Sequence, residues 1–183
     1  MTVAADPDLA ADLQTAAHLT GRFVLRSGAV SDVYFDKFRF ESDPGLPRRV
    51  ARRIVALLSP GVEVLAGLEL GGVPIATAMA LESGLPVVFV RKAAKAYGTC
   101  RAVEGADIAG LRVAIIEDVI STGGAIVAGA ERLSEAGGRV GEVICAVWRG
   151  AGEPALAALP GVRIAAAFIQ SDLMATRHPG RDL

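Results

Sequence analysis

Two adjacent carboxylates follow a run of apolar residues in the segment VAIIEDVISTGGA, Val113–Ala125. The apolar run predicts a buried strand, and Glu117 and Asp118 stand where that strand should end. Ser121 and Thr122 follow, with two glycines that open a predicted helix. Free backbone N–H groups at a helix N-terminus favour a phosphate, and carboxylates accept hydrogen bonds from sugar hydroxyls. The segment therefore has the chemistry of a sugar-phosphate site.

The geometry of a strand limits how the two carboxylates can act together. Successive side chains of a strand point to opposite faces, so Glu117 and Asp118 reach one ligand only if the strand gives way to a turn between them. The alternative interpretation is a solvated acidic strand end followed by a Ser/Thr helix cap. The chain contains no G-x-x-x-x-G-K-[ST] sequence, which excludes a P-loop nucleotidase.

The predicted elements around this segment alternate between strands and helices. The N-terminal part has a helix at about 6–18, a strand pair within 22–40 and a helix at 46–58. A strand from 62, a helix from 73 and a strand from 87 follow, and then a polar segment at 91–110. The last part has a strand from 112, a helix at 124–136, a strand from 143, a short helix near 154 and a strand from 162. Alternation with nearly continuous apolar strands indicates an α/β fold, a parallel sheet flanked by helices. We expect one domain, 1–183, with a small addition at about 1–40 before the α/β core at about 41–183.

Composition excludes several classes of partner. The net charge of −1 favours neither nucleic acid nor an anionic membrane. No apolar run approaches the roughly 18 residues of a membrane span. The two cysteines, Cys100 and Cys145, lack the spacing of metal ligands, and free thiols are typical of a reducing compartment. We therefore expect a cytoplasmic protein that binds neither nucleic acid nor membrane.

Several polar segments follow the predicted strands, at the sheet edge where α/β proteins bind ligands. These segments are 67–72, 91–95, 117–124 and Arg149. Only three lysines occur in the chain, and Lys92 and Lys95 both lie in RKAAKAYG, Arg91–Gly98. This clustering suggests that an ammonium group, rather than a guanidinium, is needed there.

The segment VAIIEDVISTGGA resembles the phosphoribosyl-pyrophosphate (PRPP) signature of type I phosphoribosyltransferases. Further segments resemble the orotate phosphoribosyltransferase family, in one order over nearly the whole chain. FVLRSGAVSDVYFD at 23–36 is similar to the family's N-terminal hood over orotate, and GLELGGVPIA at 67–76 is similar to its pyrophosphate loop. RKAAKAYG with RAVEG is similar to its mobile catalytic loop. WRG at 148–150 lies where the family carries a base-contacting arginine.

The resemblance implies a reaction: orotate displaces pyrophosphate from PRPP and gives orotidine 5'-phosphate, in the synthesis of UMP. It also implies Mg²⁺, held mainly through PRPP with no direct protein ligand, because Mg²⁺ suits pyrophosphate and ribose oxygens. A homodimer is implied as well, since the family's mobile loop reaches into the neighbouring subunit's site.

The resemblance further implies roles for individual residues. Glu117 and Asp118 hold the ribose hydroxyls, and Lys95 and Asp118 are the implied catalytic residues. Arg91, Lys92 and Lys95 neutralise pyrophosphate. The pyrophosphate loop comprises Glu69, Leu70, Gly71 and Gly72. The 5'-phosphate contacts Val119, Ile120, Ser121, Thr122, Gly123, Gly124 and Ala125. Orotate contacts Arg26, Tyr34, Phe35, Thr122 and Arg149.

Two residues depart from the family's pattern. Tyr97 stands where many members carry histidine, and a phenol supplies no cation near neutral pH. Gly71 stands where some members carry lysine, which leaves more charge compensation to Arg91 and the catalytic loop. Two alternatives remain open: a phosphoribosyltransferase for a purine or another pyrimidine, and a PRPP-sensing regulator without catalysis.

Overall fold

Residues 6–25, 28–94, 98 and 100–175 are described by a computed structural model of the protein. The helices are α1 (Pro7–Ala17), α2 (Lys37–Glu41), α3 (Leu46–Val55), α4 (Gly72–Ser83), α5 (Gly124–Glu135) and α6 (Gln170–Ala175). The strands are β1 (His18–Val24), β2 (Val30–Phe35), β3 (Val64–Leu68), β4 (Val87–Val90), β5 (Val103–Glu104), β6 (Arg112–Ile120), β7 (Arg139–Trp148) and β8 (Arg163–Ile169).

The main sheet has six strands in the order β5-β4-β3-β6-β7-β8. Strands β4, β3, β6, β7 and β8 run parallel, and only the short edge strand β5 is antiparallel. The prediction of a parallel sheet flanked by helices is confirmed. Because β3, β4, β6 and β7 are adjacent and parallel, the segments after their carboxyl ends meet along one edge of the sheet.

Helices cover both faces of this sheet, and neighbouring residues of β6 belong to different cores. Ile116 packs in the cluster that contains Leu13 of α1, Ile54 of α3 and Met79 of α4. Ile115 packs in the opposite cluster with residues of α5. Burying one such side chain stabilises the fold by about 1.5–3 kcal/mol, so two-sided burial explains the nearly continuous apolar strands.

The N-terminal strands form a separate antiparallel hairpin, β1 with β2, as the sequence predicts. The rings of Phe23 and Tyr34 stack across it, with their centroids 5.4 Å apart. The expectation that the strand pair extends to Phe40 is wrong, because α2 begins at Lys37. Asp36 ends the strand and caps α2, its Oδ1 accepting a hydrogen bond from the Phe38 N–H.

Two other expectations differ from the structure. The short helix near Pro154 is absent: residues 151–162 form turns and bends, and Gly152 adopts a positive φ of 67°. The C-terminal helix α6 was not predicted. Within the described part of the chain, none of the helices has the length and apolar character that a membrane crossing needs.

Candidate active site

The acidic pair lies inside β6, so the expected turn between Glu117 and Asp118 is wrong. The ladder to β7 pairs Glu117 with Cys145 and Val119 with Val147, in one unbroken register. Glu117 Oε1 accepts from the Asp118 N–H at 3.1 Å, and Asp118 Oδ1 accepts from the Val119 N–H at 2.5 Å. The two carboxyl groups also lie close enough for each to shift the other's pKa. They therefore converge without a turn.

Burial excludes the alternative of a solvated strand end. The side chain of Glu117 is 6% exposed and that of Asp118 is 0% exposed. Carboxylates at such positions need partners, because burying an unpaired charge is costly. Their neighbours come from the N-terminal part of the chain: Lys37 Nζ lies 2.7 Å from Asp118 Oδ2, and Glu41 lies near enough to shift the pKa of Asp118.

The four ionisable groups perturb one another's pKa values. Burial and the contact with Asp118 raise the pKa of Glu117 to about 9, and the same two causes raise the pKa of Glu41 to about 9. Burial opposes ionisation of Asp118 too, but hydrogen bonds from Glu117, Glu41 and Lys37 hold its pKa below the usual value. Asp118 is therefore the charged carboxylate of the cluster near neutral pH, and Lys37 is its counter-ion.

The turn after β6 offers backbone donors. Gly123 caps α5 in the left-handed conformation, with φ of 77°, and no side chain caps the helix. The hydroxyls of Ser121 and Thr122 are thus not used as an N-cap. Within the described residues, the backbone N–H groups of 121–125 donate to no protein acceptor. Donors at a helix N-terminus form a site for a phosphate.

The predicted pyrophosphate loop packs directly against β6. A Cβ atom on Gly72 would lie 2.3 Å from the Ile116 carbonyl oxygen, so only glycine allows this approach. Glu69 and Leu70 are exposed at the sheet edge, and the peptide bond between them is cis. Glu69 Oε2 accepts from the Lys92 N–H at 3.0 Å, which joins this loop to the segment after β4.

Arg91 and Lys92 lie at the carboxyl end of β4, as predicted. Arg132 of α5 donates to the Lys92 carbonyl oxygen at 2.6 Å and so holds this segment beside α5. The Arg91 Nε atom is buried without a hydrogen-bond partner among the described residues. Both residues line a cavity of about 250 Å³ that also contacts Ala125. Arg91 and Lys92 therefore lie beside Ala125, the last of the residues predicted for the phosphate.

A second cavity, of about 540 Å³, lies between the N-terminal hairpin and the sheet. Tyr34, Phe35, Ser121 and Arg149 line it, so three residues predicted for orotate and one predicted for phosphate meet there. Arg149 Nε donates to Gln170 Oε1 at 2.7 Å. Thr122, which the resemblance places beside orotate, is exposed and does not line this cavity.

Sequence reasoning missed several residues of this region. Lys37 and Glu41 reach Asp118 from α2, and Gln14, His18 and Gln170 line the 540 Å³ cavity. For Lys37 the sequence did offer one indication of a special role, because the chain has only three lysines and Lys37 is one of them. The others carry no local pattern that marks them. Arg26, Lys95 and Tyr97 lie outside the described residues, so their roles stay predictions.

Comparison with known proteins identifies the class. Residues 48–157 match the phosphoribosyl transferase domain family. The chain is 49% identical over 176 residues to an orotate phosphoribosyltransferase of a Nocardioides species, covering 96% of this chain and 98% of that protein. The solved orotate phosphoribosyltransferase from Aeropyrum pernix is 32% identical, with a TM-score of 0.78, covering 91% of this chain and 96% of that one. The Mycobacterium tuberculosis H37Rv orotate phosphoribosyltransferase in complex with PRPP is 26% identical, with a TM-score of 0.75, covering 92% and 98%.

The fold, the acidic strand with its donor-rich turn and the domain match define a type I phosphoribosyltransferase. The similarity to the Nocardioides protein extends beyond this domain to almost the whole chain, including the N-terminal hairpin. The chain belongs to the orotate phosphoribosyltransferase family, which confirms the resemblance seen in the sequence.

Proposed function

We propose that this chain transfers the phosphoribosyl group of PRPP to orotate, giving orotidine 5'-phosphate and pyrophosphate in pyrimidine biosynthesis. One structural observation supports the proposal in addition to family membership. Tyr34, Phe35 and Arg149 line the same cavity as Ser121, the residue that begins the turn before α5. A planar acid bound in this cavity would therefore lie next to a phosphate on the turn.

The reaction moves one electron pair at each of two bonds. A ring nitrogen of orotate donates its pair to C1' of the ribose, and the C1'–O bond breaks with its pair leaving on pyrophosphate. The ribose gains oxocarbenium character in the transition state, and negative charge collects on pyrophosphate. Fixed charges and donors that match this distribution lower the barrier.

The acidic pair and the turn would hold the ribose 5-phosphate part. Asp118, charged near neutral pH, accepts from a ribose hydroxyl, and Glu117 provides a second carboxyl beside it. The unused N–H groups of residues 121–125 donate to the 5'-phosphate, with added donors from Ser121 and Thr122. These interactions orient C1' toward the cavity of the base.

Positive charge for pyrophosphate would come from the segment after β4. Arg91 and Lys92 lie beside the loop that Glu69, Leu70, Gly71 and Gly72 form, and the Glu69–Lys92 hydrogen bond ties the two together. Lys95 lies outside the described residues, and we assign it the catalytic cation by its place in the sequence. An ammonium near the leaving oxygen stabilises the departing charge.

Orotate would bind between the hairpin and the sheet. Arg149 can bind its carboxylate with two parallel hydrogen bonds, and the Gln170 contact orients the guanidinium. The rings of Tyr34 and Phe35 pack beside the base. Arg26 completes the proposed orotate set by resemblance, whereas Thr122 lies outside this cavity.

We propose Mg²⁺ as the cofactor, held mainly by oxygens of PRPP. One feature supports this: Asp118 already has Lys37 and a backbone N–H as partners. Bound Mg²⁺ would neutralise charge on pyrophosphate. The protein's part is to supply Arg91, Lys92 and Lys95 around the same group.

We also propose that the protein acts as a single domain, in a cytoplasmic homodimer whose catalytic loop is shared between subunits. The support is family membership and two free cysteines, Cys100 and Cys145. Sedimentation of the purified protein measures the assembly directly, and a monomer at assay concentration would contradict it.

Mixing the protein with orotate, PRPP and Mg²⁺ and following orotate absorbance tests the activity. Orotate should disappear only when PRPP is present, with pyrophosphate formed in equal amount. Turnover of adenine, guanine or uracil in place of orotate would contradict the substrate assignment. PRPP binding without turnover of any base would instead indicate a regulator.

A further inference from the structure

The strongest unassigned feature is a lysine that contacts the ribose carboxylate from another element. Lys37 is the first residue of α2, and its Nζ lies 2.7 Å from Asp118 Oδ2. The Lys37 side chain is 35% exposed and the Asp118 side chain is wholly buried. A surface ion pair contributes little, but a buried carboxylate depends on its counter-ion. This contact therefore determines whether the Asp118 side chain is ionised.

Asp118 is enclosed by a small set of groups. Glu41, on the same helix as Lys37, and Glu117, next to Asp118 on β6, each lie close enough to its carboxyl group to shift its pKa. Gly71 lies against Oδ2 with its backbone. The buried thiol of Cys145 on β7 faces Glu117, and burial, with a smaller effect of the Glu117 carboxyl group, raises the pKa of the thiol. Within the described residues, Lys37 is the cation that these groups share.

Removal of this cation would leave three carboxyl groups with no positive partner in a buried cluster. Burial and mutual repulsion then favour their protonated forms. A protonated carboxyl group has one donor and less acceptor capacity than a carboxylate, and it is a poorer partner for a sugar hydroxyl. The charge of Lys37 and the acceptor function of Asp118 are thus linked.

The position of α2 also connects Lys37 to the cavity proposed for the base. Tyr34 and Phe35, which line the base cavity, end β2 only two residues before Lys37. Asp36 joins them, and its N–H donates to the Ala17 carbonyl oxygen at 2.7 Å, which fixes the start of α2. One short stretch of chain therefore contacts both the base cavity and the carboxylate cluster.

We propose that Lys37 is a positioning residue of the phosphoribosyl site: its ammonium group holds the Asp118 carboxylate charged and in place to accept a ribose hydroxyl. The proposal rests on the proposed function, because it takes Asp118 as the ribose acceptor. It assigns Lys37 no contact with the reacting atoms. Its effect reaches PRPP through Asp118.

The test compares Lys37→Met, which removes the ammonium, with Lys37→Arg, which keeps a positive charge. The KM for PRPP of Lys37→Met should rise about tenfold or more at pH 7, the effect expected for a lost charge-assisted hydrogen bond. The KM for orotate should stay within about twofold. The defect should shrink as pH rises, because the carboxyl groups then ionise without help. Lys37→Arg should recover most of the PRPP affinity.

Arg39→Met provides a matched control, because Arg39 is an exposed cation on the same short helix. Its kinetic constants should equal those of the parent. Should Lys37→Met fail to fold, Lys37→Gln keeps a polar side chain of similar length and removes the charge. Calorimetric titration of that variant with PRPP measures binding without turnover.

Two results would overturn the proposal. One is a lysine variant that loses thermal stability but keeps the parent's KM for PRPP at every pH, since the ion pair would then be structural only. The other is a loss of kcat alone with unchanged PRPP affinity. A parent protein that consumes no orotate would instead refute the proposed function, and PRPP titration would still test Lys37.

Discussion

The backbone of Gly71 lies directly against the carboxylate of Asp118: a Cβ atom at residue 71 would fall 1.8 Å from Oδ2. The predicted pyrophosphate loop and the acidic strand are therefore in contact through a glycine and a buried carboxylate. Any side chain at position 71 requires Asp118, or the loop itself, to move. A lysine at this position would therefore meet the Asp118 carboxylate in the present structure.

Gly71→Ala should weaken PRPP binding on the order of tenfold, because overpacking displaces Asp118 or the loop. Gly141→Ala is the matched control, since an added Cβ atom on that glycine of β7 meets nothing within 4 Å. Titration of both variants with PRPP measures the effect. Equal affinity of the two variants would show that the loop adapts freely.

Asp118→Asn should weaken PRPP binding by about tenfold to a hundredfold, since an amide replaces a charged acceptor. Its thermal stability should be largely preserved, because the amide can still pair with Glu41 or Glu117. PRPP affinity and thermal melting, measured on the same preparation, separate the two effects. Unchanged affinity would remove Asp118 from the ribose site.

Gln170→Leu should raise the KM for orotate about three- to tenfold and leave the KM for PRPP unchanged. The physical reason is the 2.7 Å hydrogen bond through which Gln170 orients Arg149. Ser171→Ala, one residue further along α6, is an exposed control. A parallel rise in both KM values would indicate a general disturbance of the site instead.

Glu41→Gln should make stability less sensitive to pH. The folded protein raises the pKa of Glu41 from 4.5 to about 9, so this group stabilises the fold below pH 4.5 and loses that contribution as pH rises through about 9. A glutamine does not ionise. The variant should therefore melt about 2–4 °C above the parent near pH 9 and close to it near pH 5. Identical pH profiles would show that Glu41 does not hold its proton when folded.

Lys95→Ala should slow turnover on the order of 10²-fold, the effect of losing one preorganised charge, with the fold intact.

Mixing this variant with Asp118→Asn tests whether subunits share sites. If Lys95 acts in the neighbouring subunit, mixed dimers contain one site with both residues unchanged, and activity should reappear. No recovery after subunit exchange would place Lys95 in its own subunit's site.

Local sequence determined much of this protein. The nearly continuous apolar strands and the alternating helices predicted a parallel sheet, because two-sided burial leaves that pattern in any such strand. The turn at 121–124 could be read as a phosphate site, because its donors lie next to one another in the chain. Because Arg91, Arg149 and the predicted pyrophosphate loop each follow a predicted strand, the sequence also predicted that they lie along one edge of the sheet.

Tertiary structure decided what surrounds the acidic pair. Glu117 and Asp118 lie inside a continuous strand, and their carboxyl groups accept from the backbone N–H groups of Asp118 and Val119, an arrangement that has no signature in residue types. Lys37 reaches Asp118 across 81 positions of sequence. Such contacts arise only when separate elements pack, because no periodic pattern relates residues on different elements. Sequence alone thus predicted the turn as a phosphate site, and only the folded chain revealed that Lys37 lies against the carboxylate of Asp118.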